Sequence, residues 1–303
     1  MARPGLVSGS TVSAAVAGFF APRCPQHGRL TFSLSAMHRI LLALLPFLTA
    51  ASAAVPRPGS GPLPGTGGAP TAPVAVVVEL FTSEGCSSCP AADAALRELE
   101  MAQSVSGVEV IALGQHVDYW NRLGWKDPFS SPAFTQRQRT YAEGFGTGSY
   151  TPQAVVNGRY ELVGSRRQAL AETIAKAAKA PRATVRLTRT AAGELAVHIT
   201  DLPAGTAPTE VALALTETGL SSQVGRGENA GRLLRHAAVV RELRTLGSVA
   251  PDGTFSATVP LPLAPGWKTP NLRAVVLVQE KASRHIVGVA ALPLSPPGGA
   301  GRN

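Results

Sequence analysis

Glu79 to Pro90 read Glu-Leu-Phe-Thr-Ser-Glu-Gly-Cys-Ser-Ser-Cys-Pro, which sets Cys86 and Cys89 three positions apart. Two thiols at this spacing can form a structural bridge, clamp a metal, or cycle between dithiol and disulfide. A cross-link stabilises a fold by an amount that grows with the logarithm of the loop it closes, so so short a loop is a weak motive for a purely structural bridge. A structural zinc site takes four ligands, and the sequence has no second Cys-x-x-Cys and no His-x-x-x-His. The pair alone does not choose among the three chemistries. Its surroundings must.

Those surroundings read as strand, turn and helix. Residues 73–81 are a near-continuous apolar, β-branched run, the pattern of a buried central strand. Thr82 to Gly85 form a turn. From Ser87 onward Ala92, Ala95, Leu96 and Leu99 recur at helical spacing, and Pro90 is tolerated only in a first turn. Cys86 is therefore expected at a helix N-terminus, where unpaired amides and the helix dipole favour the reactive thiolate. In the redox reading Cys86 is the exposed attacker and Cys89, one turn in, is the partly buried resolving thiol. Glu79 is anomalous inside the apolar strand, because an ionised carboxylate is costly to bury. It is either a proton acceptor for Cys89 with a raised pKa or a strand-end residue reaching water or a local partner. Glu84 and Asp93 are acids near the pair and oppose thiolate formation.

Downstream, residues 107–117 form a second strand. Residues 150–164 contain Asn157-Gly158, a type I′ hairpin signal between two short strands. Ser165 is expected to cap a helix with Leu170 and Ile174 on one face. This order, with Cys-x-x-Cys opening the first helix and Thr151-Pro152 just before the third strand, resembles the thioredoxin fold. The resemblance implies a cis proline at Pro152 beside the cysteine pair. It also implies that the Thr151 backbone pairs with an extended substrate and that Pro152 shapes the groove and keeps metal away. The segments VELFTSEGCSSCPAAD, HVDYWNRLGWKDPFSS, FTQRQRTYA and TPQAVVNG are further similar to the secreted bacterial proteins grouped as domain of unknown function 1223, over roughly residues 74–293. That family implies a thioredoxin-like first part, a β-rich second part and export, and it supplies no substrate. Gly85 stands where thioredoxins carry an aromatic, so their redox bias and partners do not transfer.

Residues 115–150 are long for a thioredoxin connection and hold two of the three tryptophans. His116, Asp118, Trp120 and Trp125 are candidates for binding substrate near the cysteines, with His116 able to shuttle protons. Part of this cluster is also expected to be a local mini-core. Ser131 caps the helix that follows. Cys86, Cys89 and His116 together form an alternative copper or zinc site, since thiolate and imidazole suit both metals.

From Arg182 the pattern changes to seven short alternating segments separated by turn signals, which predicts an antiparallel sandwich. Gly225 to Gly231 have spaced glycines without a following Lys-Ser/Thr, so they read as a hairpin loop and not a phosphate loop. His198, His236 and His285 stand singly in or beside strands and read as surface or core residues.

Met37 to Ala54 have the basic, apolar and small-residue regions of a secretory signal. Their apolar stretch is shorter than the roughly 20 residues a bilayer span needs. Cys24 would be lost with this leader. Residues 55–73, rich in Pro and Gly, read as a linker. The formal charge is +9, of which four positive charges lie before residue 55, and the rest is dispersed without a basic run. This argues against nucleic acid as a partner.

The sequence therefore predicts a leader (1–54), a linker (55–73), an α/β thioredoxin-like domain (74–181), an all-β antiparallel sandwich (182–293) and a disordered tail (294–303). The expected function is thiol–disulfide exchange in the periplasm or outside the cell, on a protein or small-molecule thiol or disulfide. It requires no cofactor, no resident metal and no membrane span. A binding module with a static disulfide is the other alternative.

Overall fold

The computed structural model describes residues 72–295. The leader, nearly all of the linker, Cys24 and most of the tail lie outside the described residues.

The chain runs β1 (Val74–Thr82), α1 (Cys89–Ala102), β2 (Val108–His116), α2 (Pro132–Phe145), β3 (Gln153–Val156), β4 (Tyr160–Val163) and α3 (Arg167–Ala177). Strands follow: β5 (Thr184–Arg189), β6 (Leu195–Thr200), β7 (Thr209–Glu217), β8 (Ser221–Gln223), β9 (Leu233–Arg235), β10 (Val239–Ser248), β11 (Phe255–Val259), β12 (Leu272–Glu280) and β13 (Ile286–Pro293). The class is mixed α/β, with one large mixed sheet and smaller antiparallel ones.

β1 lies parallel to β2 and antiparallel to β3, which pairs antiparallel with β4. Side chains of a strand alternate between faces, and here the alternation sorts the helices. Val76, Val78 and Leu80 face α1 and α3 and pack with Leu96, Leu170 and Ile174. Burying each of those three helical side chains contributes about 1.5–3 kcal/mol. The opposite face carries Val77, Glu79 and Phe81 and meets α2 through Phe134, Arg137 and Tyr141.

The helix ends follow local chemistry. Ser131 accepts a hydrogen bond from Ala133 N, as an N-cap does. The expected cap at Ser165 is not made: α3 begins one residue later, with Arg166 at its N-cap and no side-chain cap bond. Backbone bonds from Arg166 N to Val163 O and from Arg167 N to Ser165 O tighten the turn, so Ser165 sits outside the helix.

The strands of both halves share one eight-stranded sheet, ordered β13-β12-β7-β10-β2-β1-β3-β4. The junction is narrow. β10 meets β2 in parallel at Val239 and Gly114, and Gly114 N donates to Ala238 O at 2.7 Å. A Cβ on Gly114 would come 3.2 Å from Ala237 O and 3.3 Å from Ala238 O, so a glycine is what allows this approach. A three-stranded antiparallel sheet, β11-β6-β5, covers the β7–β12 part of the large sheet. Leu195, Val197 and Ile199 of β6 pack there against Leu213 of β7 and Val276 of β12.

Among the described residues no helix is long and apolar enough to cross a membrane.

Candidate functional site

Cys86 and Cys89 are joined as a disulfide with their Cα atoms 5.4 Å apart. The turn after β1 brings them together: Cys86 N donates to Ser83 O and Cys89 N to Cys86 O. Cys86 is not the exposed attacker expected from sequence, since it is 1% exposed and Cys89 is fully buried. The cause is the glycine-rich loop 224–232, which folds over the pair. Asn229 Nδ2 donates to both Glu84 O and Cys86 O at 2.9 Å, and Ser87 N donates to Glu228 Oε2 at 3.0 Å. Asn229 is itself held by Arg232. Replacing Asn229 with alanine removes the two hydrogen bonds that fasten the loop to the cysteine turn, each contributing about 1 kcal/mol, together with the one from Arg232. The expected result is roughly 30-fold faster reduction of the disulfide by a small reductant, read by thiol labelling. An unchanged rate would mean that the loop does not guard the pair.

Trp120 flanks the same turn. A Cβ on Gly85 would come 3.0 Å from Trp120 Cβ, which explains the glycine at a position where thioredoxins carry an aromatic. Trp120 Nε1 donates to Thr151 Oγ1 at 2.9 Å, and the Thr151–Pro152 peptide is cis. Gln153 pairs with Phe81, so Pro152 lies beside the strand end from which the cysteine turn departs.

Glu79 has no part in this arrangement. It lies on the opposite face of β1, fully buried, and receives Arg137 Nε (2.5 Å), Arg137 Nη2 (2.9 Å), Tyr141 Oη (2.5 Å) and Gln115 Nε2 (2.5 Å). Burial works to raise its pKa, but the Arg137 charge and these hydrogen bonds outweigh it and hold the carboxyl below its usual range. The reading of Glu79 as a proton acceptor with a raised pKa is thereby corrected. Its parity with Val77 and Phe81 is the sequence signal that it faces away from α1. Asp118 accepts from Thr135 Oγ1 at 2.6 Å and fastens the insertion to α2.

Next to the disulfide turn lies a buried polar cluster. His116, at the end of β2, donates from Nδ1 to Asp127 Oδ2 at 2.7 Å. Asp127 Oδ2 also accepts from Glu84 N at 2.9 Å. His236 Nε2 donates to Glu84 Oε1 at 2.9 Å, and Trp125 Nε1 holds Glu84 Oε2 at 2.7 Å. Asp93 of α1 accepts from Thr82 Oγ1 through Oδ2 at 2.9 Å, and its Oδ1 lies 3.9 Å from His236 Nδ1. The two imidazoles meet edge to face, with centroids 4.7 Å apart. For Asp127, burial works to raise the carboxyl, but the charge and hydrogen bond of His116 and the backbone donors hold it below its usual range. For His236, burial works to lower the imidazole, but Asp93 and Glu84 together push it up to about 9.

Sequence reading singled out His116 and Trp125 and placed both beside the cysteines. The structure places both in this cluster. Sequence reading missed the role of His236 and Asn229 and of Asp127. Glu84 and His236 are 152 positions apart, a distance no local pattern spans. β9 ends at Arg235 and β10 begins at Val239, and the break between them carries His236 into the cluster.

The fold and site thus define a mixed α/β protein on a continuous sheet, with a covered disulfide at a strand–helix junction and a buried histidine–carboxylate cluster beside it. The chain belongs to the family described as protein of unknown function DUF1223, whose family model matches residues 77–279. An X-ray structure of an Agrobacterium tumefaciens protein, solved by a structural genomics consortium, is 30% identical. The match covers 73% of this chain and 94% of that one, with a TM-score of 0.59. HBP35 of Porphyromonas gingivalis is 19% identical over 76% of this chain and 79% of its own, with a TM-score of 0.53, a likeness of fold alone. The search of curated proteins returned no match.

Proposed function

We propose that this chain is an exported thiol–disulfide exchange protein whose first half is thioredoxin-like. The observation that carries the reading is the Cys86–Cys89 disulfide at the β1–α1 junction, beside Trp120, Thr151 and Pro152. The sheet order β2-β1-β3-β4, with α1 and α3 on one face and α2 on the other, supports the thioredoxin-like assignment. Export is supported by the leader pattern at Met37 to Ala54, and an oxidising compartment suits a standing disulfide.

In the reductive direction the Cys86 thiolate attacks a substrate disulfide. One substrate sulfur leaves as a thiolate and the other stays bonded to Cys86. Cys89, once deprotonated, attacks Cys86 Sγ and releases the second substrate thiolate. The substrate gains two electrons and the pair becomes the disulfide. The oxidative direction is the reverse. Either one requires loop 224–232 to swing away, because both cysteines are buried beneath it.

That burial favours a second reading, a binding module with a static bridge. The reduction potential of the pair in purified mature protein separates the two. A value between roughly −270 and −120 mV is expected for exchange, and a value below about −300 mV would establish a structural bridge.

A further inference from the structure

The cluster beside the disulfide has more buried negative charge than the protein neutralises. Glu84, Asp93 and Asp127 are 1%, 5% and 1% exposed, and no lysine or arginine pairs with them among the described residues. Their basic partners among the described residues are His116 and His236. Three atoms are left without a hydrogen-bond partner: His116 Nε2, His236 Nδ1 and Asp93 Oδ1. These three residues each offer a ligating atom, and the ligating atoms lie within 4.8 Å of one another.

We propose that Asp93, His116 and His236 bind a divalent first-row transition cation, with zinc as the reference ion. Two imidazoles and one carboxylate suit such an ion, and a set of three protein ligands leaves a position open for water or a substrate. The surrounding bonds are those a metal site needs. Each histidine gives its other ring N–H to a buried carboxylate, His116 Nδ1 to Asp127 and His236 Nε2 to Glu84. Because an ionised carboxylate can only accept, these bonds fix the tautomers and leave His116 Nε2 and His236 Nδ1 as the bare nitrogens. Asp93 is oriented in the same way by Thr82. The ligands come from α1, the end of β2 and the β9–β10 break, so the site assembles only in the folded chain.

This site uses neither thiol, and it shares only His116 with the cysteine–histidine set considered from sequence. The alternative occupant of the cluster is a proton on His236. The experiment uses metal-stripped wild-type protein with its disulfide intact, titrated with zinc by calorimetry and followed by long-range 1H–15N NMR of the histidines. One equivalent is expected to bind, shifting His116 Nε2 and His236 Nδ1 while His116 Nδ1 and His236 Nε2 stay protonated. His236→Gln is expected to weaken binding at least 100-fold, Asp127→Asn by 10- to 100-fold, and Cys86→Ser/Cys89→Ser not at all. No binding, or zinc shifting only His198 and His285, would overturn the site. Because the wild type reports directly, misfolding of a variant leaves the test intact.

Discussion

Replacing Arg137 with methionine is expected to lower the stability of the protein by about 3–5 kcal/mol, the cost of leaving one member of a buried ion pair without its partner. Arg137 is the cation that matches Glu79 in the middle of the sheet. It donates through Nε and Nη2 to the carboxylate and through Nη1 to Gln279 of β12, and it packs over the Tyr141 ring. It therefore joins α2 to strands from both halves of the chain. Methionine keeps most of the volume but abandons a fully buried carboxylate. Denaturant unfolding reads the loss as a fall in midpoint at constant slope. The double variant Glu79→Gln/Arg137→Met is expected to recover most of it, since no charge is then left unpaired. A loss below about 1 kcal/mol in the single variant would mean that water or Gln115 replaces the arginine.

The same pair sets an acid limit. Glu79 titrates near 4.5 when unfolded and lower when folded. A depressed native pKa contributes its stability in full above the unfolded value. That contribution disappears as pH falls through the native value. Wild type is thus expected to lose stability below about pH 4.5 more steeply than the Glu79→Gln/Arg137→Met protein, by equilibrium unfolding across that window.

Replacing Gly158 with alanine is expected to cost about 3 kcal/mol, from two sources. Its φ of +62° is a left-handed conformation, and a Cβ there would stand 2.0 Å from the backbone oxygen of Arg284. The left-handed backbone alone costs an L-residue roughly 1–2 kcal/mol. The contact adds an overpacking term, because a backbone carbonyl cannot rotate away. Gly146 provides the control: its φ is +65°, but a Cβ there meets nothing within 4 Å. Gly146→Ala should show the conformational cost alone, and the difference between the two variants isolates the contact. Equal losses would mean that the 284–286 loop yields freely. The consequence reaches the site, because Asn157 Oδ1 accepts from Val77 N of β1 and Asn157 O accepts from Ile286 N. The hairpin so pinned carries Thr151 and Pro152 at its other end.

Much of the chain was legible as local pattern. The apolar run of β1, the helical spacing after Cys89, the Asn157-Gly158 turn, the Ser131 cap and the alternating segments of β5, β6, β7, β11, β12 and β13 are each set by neighbours a few residues away, and each is present. Local energetics suffices wherever the deciding contact is short in sequence. The cysteine pair and its strand–helix setting belong to this class. Contacts made across the sheet do not. Whether Cys86 is exposed depends on Asn229, 143 positions away. Glu79 survives burial because Arg137, 58 positions on, reaches it from α2. His236 read as a solitary residue because its partners Glu84, Asp93 and His116 converge only when β10 docks on β2 at Gly114. Spacing in the sequence determined the Cys86–Cys89 pair. The covering of that pair, and the second cluster beside it, were decided only by tertiary packing. Burying charge is affordable only where distant groups arrive together to pair with it.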